Sequence, residues 1–239
     1  MSPVLRRPVA AFLLAGLALA GCGGSHGTPA TANASYPEAA KSAAQILADA
    51  QQATRGVTTF HVAGAIRQAK HGFGVDLRFD GASGAYGSIK YGGVSFKVVR
   101  IGSSVYFKAP ATFYTKVGSP AQTAQMIADR WIKARANASG FRRFANFTSG
   151  TQFFSGILGS AASAGMIKVA GVQMIDGMPA VGLFDPKDGS RLYIALQGPA
   201  LPVRIDGPGG RGSMNISGYG QPVTLVAPSR AIDFSGVRT

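Results

Sequence analysis

Few side chains in this sequence are of the types that carry catalytic or metal chemistry. The chain has one cysteine, Cys22, and three histidines, His26, His61 and His71, which fall in a Gly/Ser-rich stretch, a strand pattern and a turn pattern. Histidines spread in this way do not form a metal-ligand motif. Glu38 is the sole glutamate, and the S-x-x-K motif of penicillin-recognising enzymes is absent. We therefore expect no enzyme, no metal site and no cofactor.

The surroundings of Cys22 predict that something is attached to it. Arg6 and Arg7 precede an apolar run at residues 9–20, which is too short to cross a hydrocarbon core of roughly 30 Å as a helix and is typical of a signal peptide. The run ends in Leu19-Ala20-Gly21-Cys22, which resembles the bacterial lipobox. In that motif the cysteine receives a diacylglycerol thioether and becomes the first residue of the mature protein. The alternative is an ordinary secretory signal at residues 1–21 followed by an incidental thiol.

Lipidation and charge together predict an anionic membrane as a partner. Two or three acyl chains hold a protein at a bilayer, because each buried methylene contributes about 0.8 kcal/mol. We therefore predict a lipid anchor on the extracytoplasmic side of the cell membrane. Without Arg6 and Arg7 the 24 basic residues become 22, which against 10 acidic residues gives a mature net charge of +12. Export argues against a nucleic acid, so phospholipid head groups are the expected partner, unless the charge serves solubility alone.

The mature chain is predicted to consist of a tether followed by one domain. Residues 22–35 are rich in Gly, Ser, Thr, Ala and Pro without hydrophobic periodicity, as in flexible linkers. Residues 36–239 are predicted to form a single domain that opens with an amphipathic helix, with Ser35 and Glu38 as its capping box. Period-two runs separated by glycine-containing turns then predict antiparallel hairpins up to residue 117, including a strand at residues 113–117.

A helical block interrupts the strands. Ser119 and Gln122 predict a second capping box, followed by a helix with Ala124, Ile127, Trp131 and Ala134 on one side. Aromatic residues at positions 141–158 predict one or two further short helices, and strands return from Met166 onward. Strands, helices and again strands, with roughly ten strands in all, predict an α+β fold.

Several stretches resemble the LolA-like lipoproteins of actinobacteria, of the LppX/LprG type. Besides the lipobox and the first helix, they are Val105-Tyr106-Phe107-Lys108, Phe113-Tyr114-Thr115-Lys116, Asp129-Arg130-Trp131, Gly177-Met178-Pro179-Ala180-Val181, Leu192-Tyr193-Ile194-Ala195 and Ser217-Gly218-Tyr219-Gly220-Gln221-Pro222-Val223. The resemblance implies a strongly curved antiparallel half-barrel with helices packed on its concave face. It also implies an apolar cavity for lipid acyl chains, and a role in carrying lipids or acylated glycolipids toward the outer envelope.

Apolar residues on strands and helices are the candidates for lining such a cavity, and the same residues could instead fill an ordinary core. The candidates are Phe60, Val62, Leu77, Phe96, Phe107, Ile127, Trp131, Phe144, Phe153, Phe154, Leu158, Leu192 and Ile194. Basic residues around the helical block are candidate head-group or membrane contacts, or else a solvated surface: Arg130, Lys133, Arg135, Arg142 and Arg143.

The sequence thus favours a lipoprotein that binds a lipid and transfers it across the cell envelope. The alternative is an envelope sensor or scaffold with a closed core and a protein partner. An apolar cavity above roughly 300 Å³ would favour the carrier, and a filled core with a large exposed apolar patch would favour the scaffold.

Overall fold

The computed structural model describes residues 36–68, 71–81, 83–138 and 147–235, and its main element is one large sheet. The helices are α1 (Pro37–Ala40), α2 (Ala43–Thr54), α3 (Ala111–Lys116), α4 (Ala121–Ile127) and α5 (Gly150–Ala164). The strands are β1 (Thr59–Gln68), β2 (His71–Asp80), β3 (Gly84–Tyr91), β4 (Val94–Ile101), β5 (Ser104–Lys108), β6 (Ile132–Arg135), β7 (Ile167–Lys168), β8 (Gln173–Ile175), β9 (Met178–Phe184), β10 (Arg191–Ala195), β11 (Pro202–Asp206), β12 (Gly212–Ser217) and β13 (Ile232–Asp233).

The described strands form a single 13-stranded sheet in the order β13-β6-β5-β4-β3-β2-β1-β12-β11-β10-β9-β7, with β8 paired to β9. The pairs within it are antiparallel, apart from the parallel pair of β13 with β6 at one edge. The sheet is strongly curved and does not close on itself, and the helices pack on its concave face. The predicted fold class is confirmed.

Glycine at the centre of the sheet permits part of this curvature. Gly64 in β1 has φ of +136°, and a Cβ there would collide with the backbone carbonyl of Ser213 on β12. The same holds for Gly87 in β3, where φ is +149° and a Cβ would collide with the carbonyl of Asp76. Only glycine fits such an approach, so these positions mark bends in the strands.

Period-two alternation places apolar side chains of neighbouring strands on the concave face. Phe60 of β1 lies opposite Phe79 of β2, and their rings stack with centroids 4.3 Å apart. Ile46 of α2 and Leu158 of α5 pack into the same buried core. None of the helices within the described residues is long and apolar enough to span a bilayer.

Two local predictions about the helices are wrong. Residues 113–117 are not a strand, because α3 follows Pro110, which is its N-cap, and buries both Phe113 and Tyr114. The second helix ends at Ile127 rather than passing through Trp131, because Asp129 adopts a left-handed backbone with φ of +54°. Trp131 instead precedes strand β6, and Ala134 lies within that strand.

The capping boxes also differ from the sequence prediction. The box is formed by Ser42 and Gln45: the Gln45 backbone N–H donates to Ser42 Oγ (3.3 Å), and the Ser42 N–H donates to Gln45 Oε1 (2.9 Å). It starts α2, one short helix later than expected. Helix α4 has Pro120 as its N-cap and no side-chain capping bond.

Candidate functional site

A cavity of about 540 Å³ lies between helix α5 and the concave face of the sheet. Its volume falls within the range of about 300–1,000 Å³ that is usual for ligand pockets. Strands β1, β2, β10, β11 and β12 form its wall on the sheet side. The apolar lining consists of Val62, Ile66, Phe73, Val75, Leu77, Phe79, Phe147, Phe153, Ile157, Ala161, Ala164, Met166, Leu192, Ile205 and Met214.

The small side chains of α5 leave this space unfilled. Gly156, Ser160, Ala161 and Ala164 recur along the side of the helix that lines the cavity. A Cβ at Gly156 would meet no atom within 4 Å. The larger residues Phe154 and Leu158 are buried in the core instead of lining the cavity. On this side, α5 covers the sheet without filling the space between them.

Aromatic rings close the inner end of the cavity. Phe153 lies 5.6 Å from Phe60 and 5.5 Å from Phe79, measured between ring centroids. Tyr219 packs beyond them, 6.3 Å from Phe60, and its hydroxyl donates to the backbone carbonyl of Pro202. Burial raises the pKa of Tyr219, so the hydroxyl stays a neutral donor.

The opposite end of the cavity carries polar groups from the turn between β9 and β10. Asp185 is buried and accepts a hydrogen bond from the Lys187 backbone N–H (2.8 Å). Asp188 accepts from the Ser190 N–H (2.8 Å), and both residues line the cavity beside Arg191. The cavity thus has an apolar body and one polar end, which suits a molecule with an alkyl chain and a polar head group.

The residues predicted to line a cavity fall into three groups. The structure brings four of them to the cavity wall: Val62, Leu77, Phe153 and Leu192. It places six in the packed core without contact to the cavity: Phe60, Phe96, Phe107, Phe154, Leu158 and Ile194. Ile127 and Trp131 are half-buried and do not line it either, and Phe144 lies outside the described residues.

Three of the five predicted head-group contacts lie at strand β6 rather than at the cavity. Arg130 precedes this strand, Lys133 and Arg135 belong to it, and none of the three lines the cavity. Lys133 Nζ lies 3.0 Å from Asp233 Oδ2 of the neighbouring strand β13. Hydrogen bonds from Ser235, together with this ammonium, lower the pKa of Asp233 to about 2. Arg142, Arg143 and Cys22 lie outside the described residues.

Sequence reasoning missed the small residues of α5 and the polar end. The stretch Gly156-Ile157-Leu158-Gly159-Ser160-Ala161 drew attention only through its larger side chains. Small residues at positions 156, 160, 161 and 164 recur at helical spacing, and this recurrence was the available signal for a helix with small side chains on one side. No signal of comparable kind marked Asp185 and Arg191, because an Asp-Pro-Lys-Asp-Gly turn needs no function to explain it.

Other depressions of the surface are less suited to an apolar ligand. One of about 340 Å³ lies between α2 and α5 and includes Gln51 and Arg55. Another, of about 870 Å³, lies at the end of the sheet where β1 turns into β2, beside Arg67, Lys90 and Arg211. The cavity beneath α5 is therefore the candidate site.

A curved, unclosed antiparallel sheet with helices on its concave face is the fold of the LolA-like class. The crystal structure of LprF from Mycobacterium bovis is similar to this chain, with a TM-score of 0.53 and 20% sequence identity over 80% of this chain and 97% of LprF. At this identity the likeness shows a shared fold. The resemblance noted in the sequence is confirmed at that level.

Two further crystal structures match less well. The Mycobacterium tuberculosis lipoprotein LppX matches with a TM-score of 0.41 and 22% identity, over 77% of this chain and 100% of LppX. A LolA superfamily protein from Nitrosomonas europaea matches with a TM-score of 0.27 and 12% identity, over 77% of this chain and 96% of that protein. No protein-family model and no curated protein matches the sequence.

Proposed function

We propose that this protein is a membrane-anchored, extracytoplasmic lipoprotein that holds lipid acyl chains in the cavity beneath α5 and carries the lipid across the cell envelope. In this proposal Cys22 bears the anchor, residues 1–21 are removed, residues 22–35 form the tether and residues 36–239 form the lipid-binding domain. No catalytic step and no cofactor is involved.

The observation that carries the proposal is the apolar cavity of about 540 Å³. Water gains little from an apolar cavity, whereas an alkyl chain gains about 0.8 kcal/mol for each methylene that it buries. Burial in the cavity replaces burial in a bilayer, so the two states differ little in free energy and the lipid can enter and leave. A sensor or scaffold with a closed core would not need this space.

The polar end supports a ligand that has a head group as well as a chain. Asp188 and Arg191 lie there at the surface, and Asp185 lies just beneath it. A head group at this end could form hydrogen bonds while its chain extends along α5 toward Phe153 and Phe79.

The test is the lipid content of the mature lipoprotein purified from its own host in detergent. Organic extraction releases lipids that are bound without a covalent bond, and native mass spectrometry counts them. We expect about one acyl lipid per protein. A protein without extractable lipid, which also takes none up from added vesicles, would overturn the proposal.

Two glycines of α5 provide a matched pair of variants. Gly156 lines the cavity, whereas Gly159 faces the cleft between α2 and α5, and a Cβ at either position would meet no atom within 4 Å. We expect Gly156→Leu to reduce bound lipid at least tenfold and Gly159→Leu to leave it unchanged. Both changes replace glycine within a helix, so neither is expected to unfold the protein. Equal lipid content in the two variants would contradict the assigned cavity.

The anchor is tested separately by the mass of the N-terminal peptide. We expect a diacylglyceryl modification on Cys22 and no residues before it. The Cys22→Ser variant should lack this modification and should leave the membrane fraction. An unmodified thiol at Cys22 in the mature protein would show an ordinary secretory signal instead.

A further inference from the structure

Four large apolar side chains are exposed near the polar end of the cavity. Tyr91, Val117, Phe147 and Ile167 are 57%, 63%, 48% and 56% exposed. We call these four residues, together with the basic residues Lys90, Lys116, Arg67 and Arg211, the mouth surface. Exposed apolar residues are common one at a time, but a group around a ligand cavity marks an interaction site.

Contacts between strands and helices show that these residues are neighbours of the cavity. Tyr91 is the cross-strand partner of Phe73, and the ring of Phe73 lies 5.5 Å from that of Phe147; Phe73 and Phe147 both line the cavity. Val117 joins them because the preceding Lys116 donates from Nζ to the carbonyl of Gly92 (3.0 Å), next to Tyr91. Ile167 lies on the other side, directly after Met166 of the lining.

Basic residues surround these apolar side chains. Lys90 precedes Tyr91, and Lys116 precedes Val117. Arg67 and Arg211 lie at the same end of the sheet, where the Arg67 N–H donates to the Arg211 carbonyl (2.9 Å). The carboxylates that line the cavity here are Asp185, which is buried and bonded to Lys187, and Asp188. The mouth surface is therefore positive as well as apolar.

This combination fits the surface of a lipid bilayer. Aromatic and aliphatic side chains enter the boundary between head groups and acyl chains, and each nearby Lys or Arg adds about 1 kcal/mol at an anionic leaflet. A protein partner would also accept apolar residues, but the exposed lining residues Phe147, Asp188 and Arg191 connect the cavity to the surface at this end. A chain that passes directly from bilayer to cavity does not expose its methylenes to water.

We propose that the mouth surface docks the domain onto an anionic bilayer with the open end of the cavity facing the lipids. The inference rests on the proposed function, since it assigns where the bound lipid enters and leaves. It also adds a second membrane contact to the anchor proposed at Cys22.

The opposite end of the sheet provides a control surface. Met174 and Met178, in the hairpin of β8 and β9, are 64% and 43% exposed. They lie at the start of β9, whereas Ile167 pairs with Phe184 at its end. Asp176 lies between them, so this end has apolar exposure beside an acidic residue. Val117 and Met174 are thus matched in exposure but differ in surroundings.

The experiment compares two variants of the mature lipoprotein, Val117→Trp on the mouth surface and Met174→Trp on the control surface. Each is mixed with vesicles that contain brominated phospholipid, a quencher of tryptophan fluorescence. The only native tryptophan, Trp131, gives the background. With 30% phosphatidylglycerol, we expect at least twofold more quenching of Val117→Trp than of Met174→Trp. In vesicles of phosphatidylcholine alone, or at high salt, the difference should shrink. Equal quenching in anionic vesicles would overturn the docking proposal.

Charge-reversal variants test the role of the cations. We expect Lys90→Glu with Lys116→Glu, made in the Val117→Trp protein, to remove most of the extra quenching. The control is Lys97→Glu with Lys108→Glu, a cross-strand pair of β4 and β5, which changes the same number of charges and should preserve the quenching. An unchanged signal in the first variant, with its melting temperature preserved, would contradict electrostatic docking.

Lipid content separates this proposal from the proposed function. The Lys90→Glu, Lys116→Glu protein should retain its bound lipid in detergent, because neither residue lines the cavity. Retained lipid together with equal quenching at the two ends would overturn the docking proposal and leave the proposed function intact. Quenching of Val117→Trp in a protein that never contains lipid would support docking and overturn the carrier function.

Discussion

The two halves of the concave face are covered in different ways. Over β4 and β5, Phe113 of α3 packs against Phe96 at 4.8 Å and Phe107 at 6.1 Å between ring centroids, and the space is filled. Over β1, β2 and β10, the cover is α5 with its small residues, and a cavity of about 540 Å³ remains. We call these the filled half and the open half.

Both halves belong to one sheet with the same alternation of apolar residues, so the strands do not decide which half holds a cavity. The helices that cover each half determine whether a cavity remains. A six-residue helix that buries Phe113 and Tyr114 completes a core, whereas a 15-residue helix with Gly156 and Ala164 on its inner side does not. In this fold, an aromatic residue in place of a small one on a single helix would turn a cavity into a core.

The largest expected effect compares the same change in the two halves. Phe113→Ala should lower the free energy of unfolding by about 3–5 kcal/mol, because it removes a buried ring from a filled core. Phe153→Ala should cost about half as much, since this ring is half-buried and already borders an empty space. Urea unfolding of the lipid-free protein measures both values. A cost for Phe153→Ala as large as that for Phe113→Ala would show that the open half is packed in solution.

An intermediate effect compares two glycines at different points of α5. A Cβ at Gly150 would lie 2.9 Å from Phe60 Cε1, so Gly150→Ala should destabilise the protein by about 1–3 kcal/mol through overpacking. A Cβ at Gly156 would lie in open space, so Gly156→Ala should stabilise the protein by up to about 1 kcal/mol through helix propensity.

Thermal unfolding checks this pair, with each kcal/mol corresponding to about 2–4 °C for a domain of this size. Shifts of opposite sign are expected within a single helix. A downward shift for both variants would mean that α5 lies closer to the sheet along its whole length than the cavity allows.

The smallest effect concerns pH at the edge of the filled half. The pKa of Asp233 is about 2, lowered from 3.8 by hydrogen bonds from Ser235 and by Lys133. A lowered pKa in the folded state contributes stability above the unfolded value, and this is lost as the pH falls from about 4 toward 2. Because these side chains are exposed, the contribution is small and weakens with salt.

An NMR titration of the Asp233 carboxyl group measures this pKa directly. Lys133→Met should raise it toward 3.8, and the pairing of β13 with β6 should loosen at a higher pH than in the unchanged protein. The lipid content should stay the same, because this edge belongs to the filled half. A titration of Asp233 near 3.8 in the unchanged protein would show that these bonds do not form in solution.

Much of the sheet could be predicted from the sequence because period-two alternation is a local property. Phe60, Leu77 and Phe96 each lie on the concave face that their alternation predicts. The same reasoning failed at residues 113–117, where neighbouring apolar residues are both buried in a short helix. The predicted end of the second helix was also wrong, because the left-handed backbone of Asp129 ends the helix where the sequence has no glycine to indicate it.

The cavity itself could not be predicted at the level of residues. Val62 and Phe60 are two positions apart on the same strand and face the same side, yet Val62 lines the cavity and Phe60 does not. Their difference depends on where α5 crosses the strands. Residue type and alternation contain no information on that crossing, and the small residues of α5 gain their meaning only once its position above the sheet is known.

The unclosed sheet has a final consequence for self-association of the protein. An open sheet presents two edges, and a long free edge recruits other chains into polymers. Here the terminal strands β7 and β13 are only two residues long each. Within β7, Lys168 donates from Nζ to the carbonyls of Ala39 and Lys41, at 2.9 and 2.8 Å. Edges this short leave little template for self-association, so the half-barrel can remain open without polymerising.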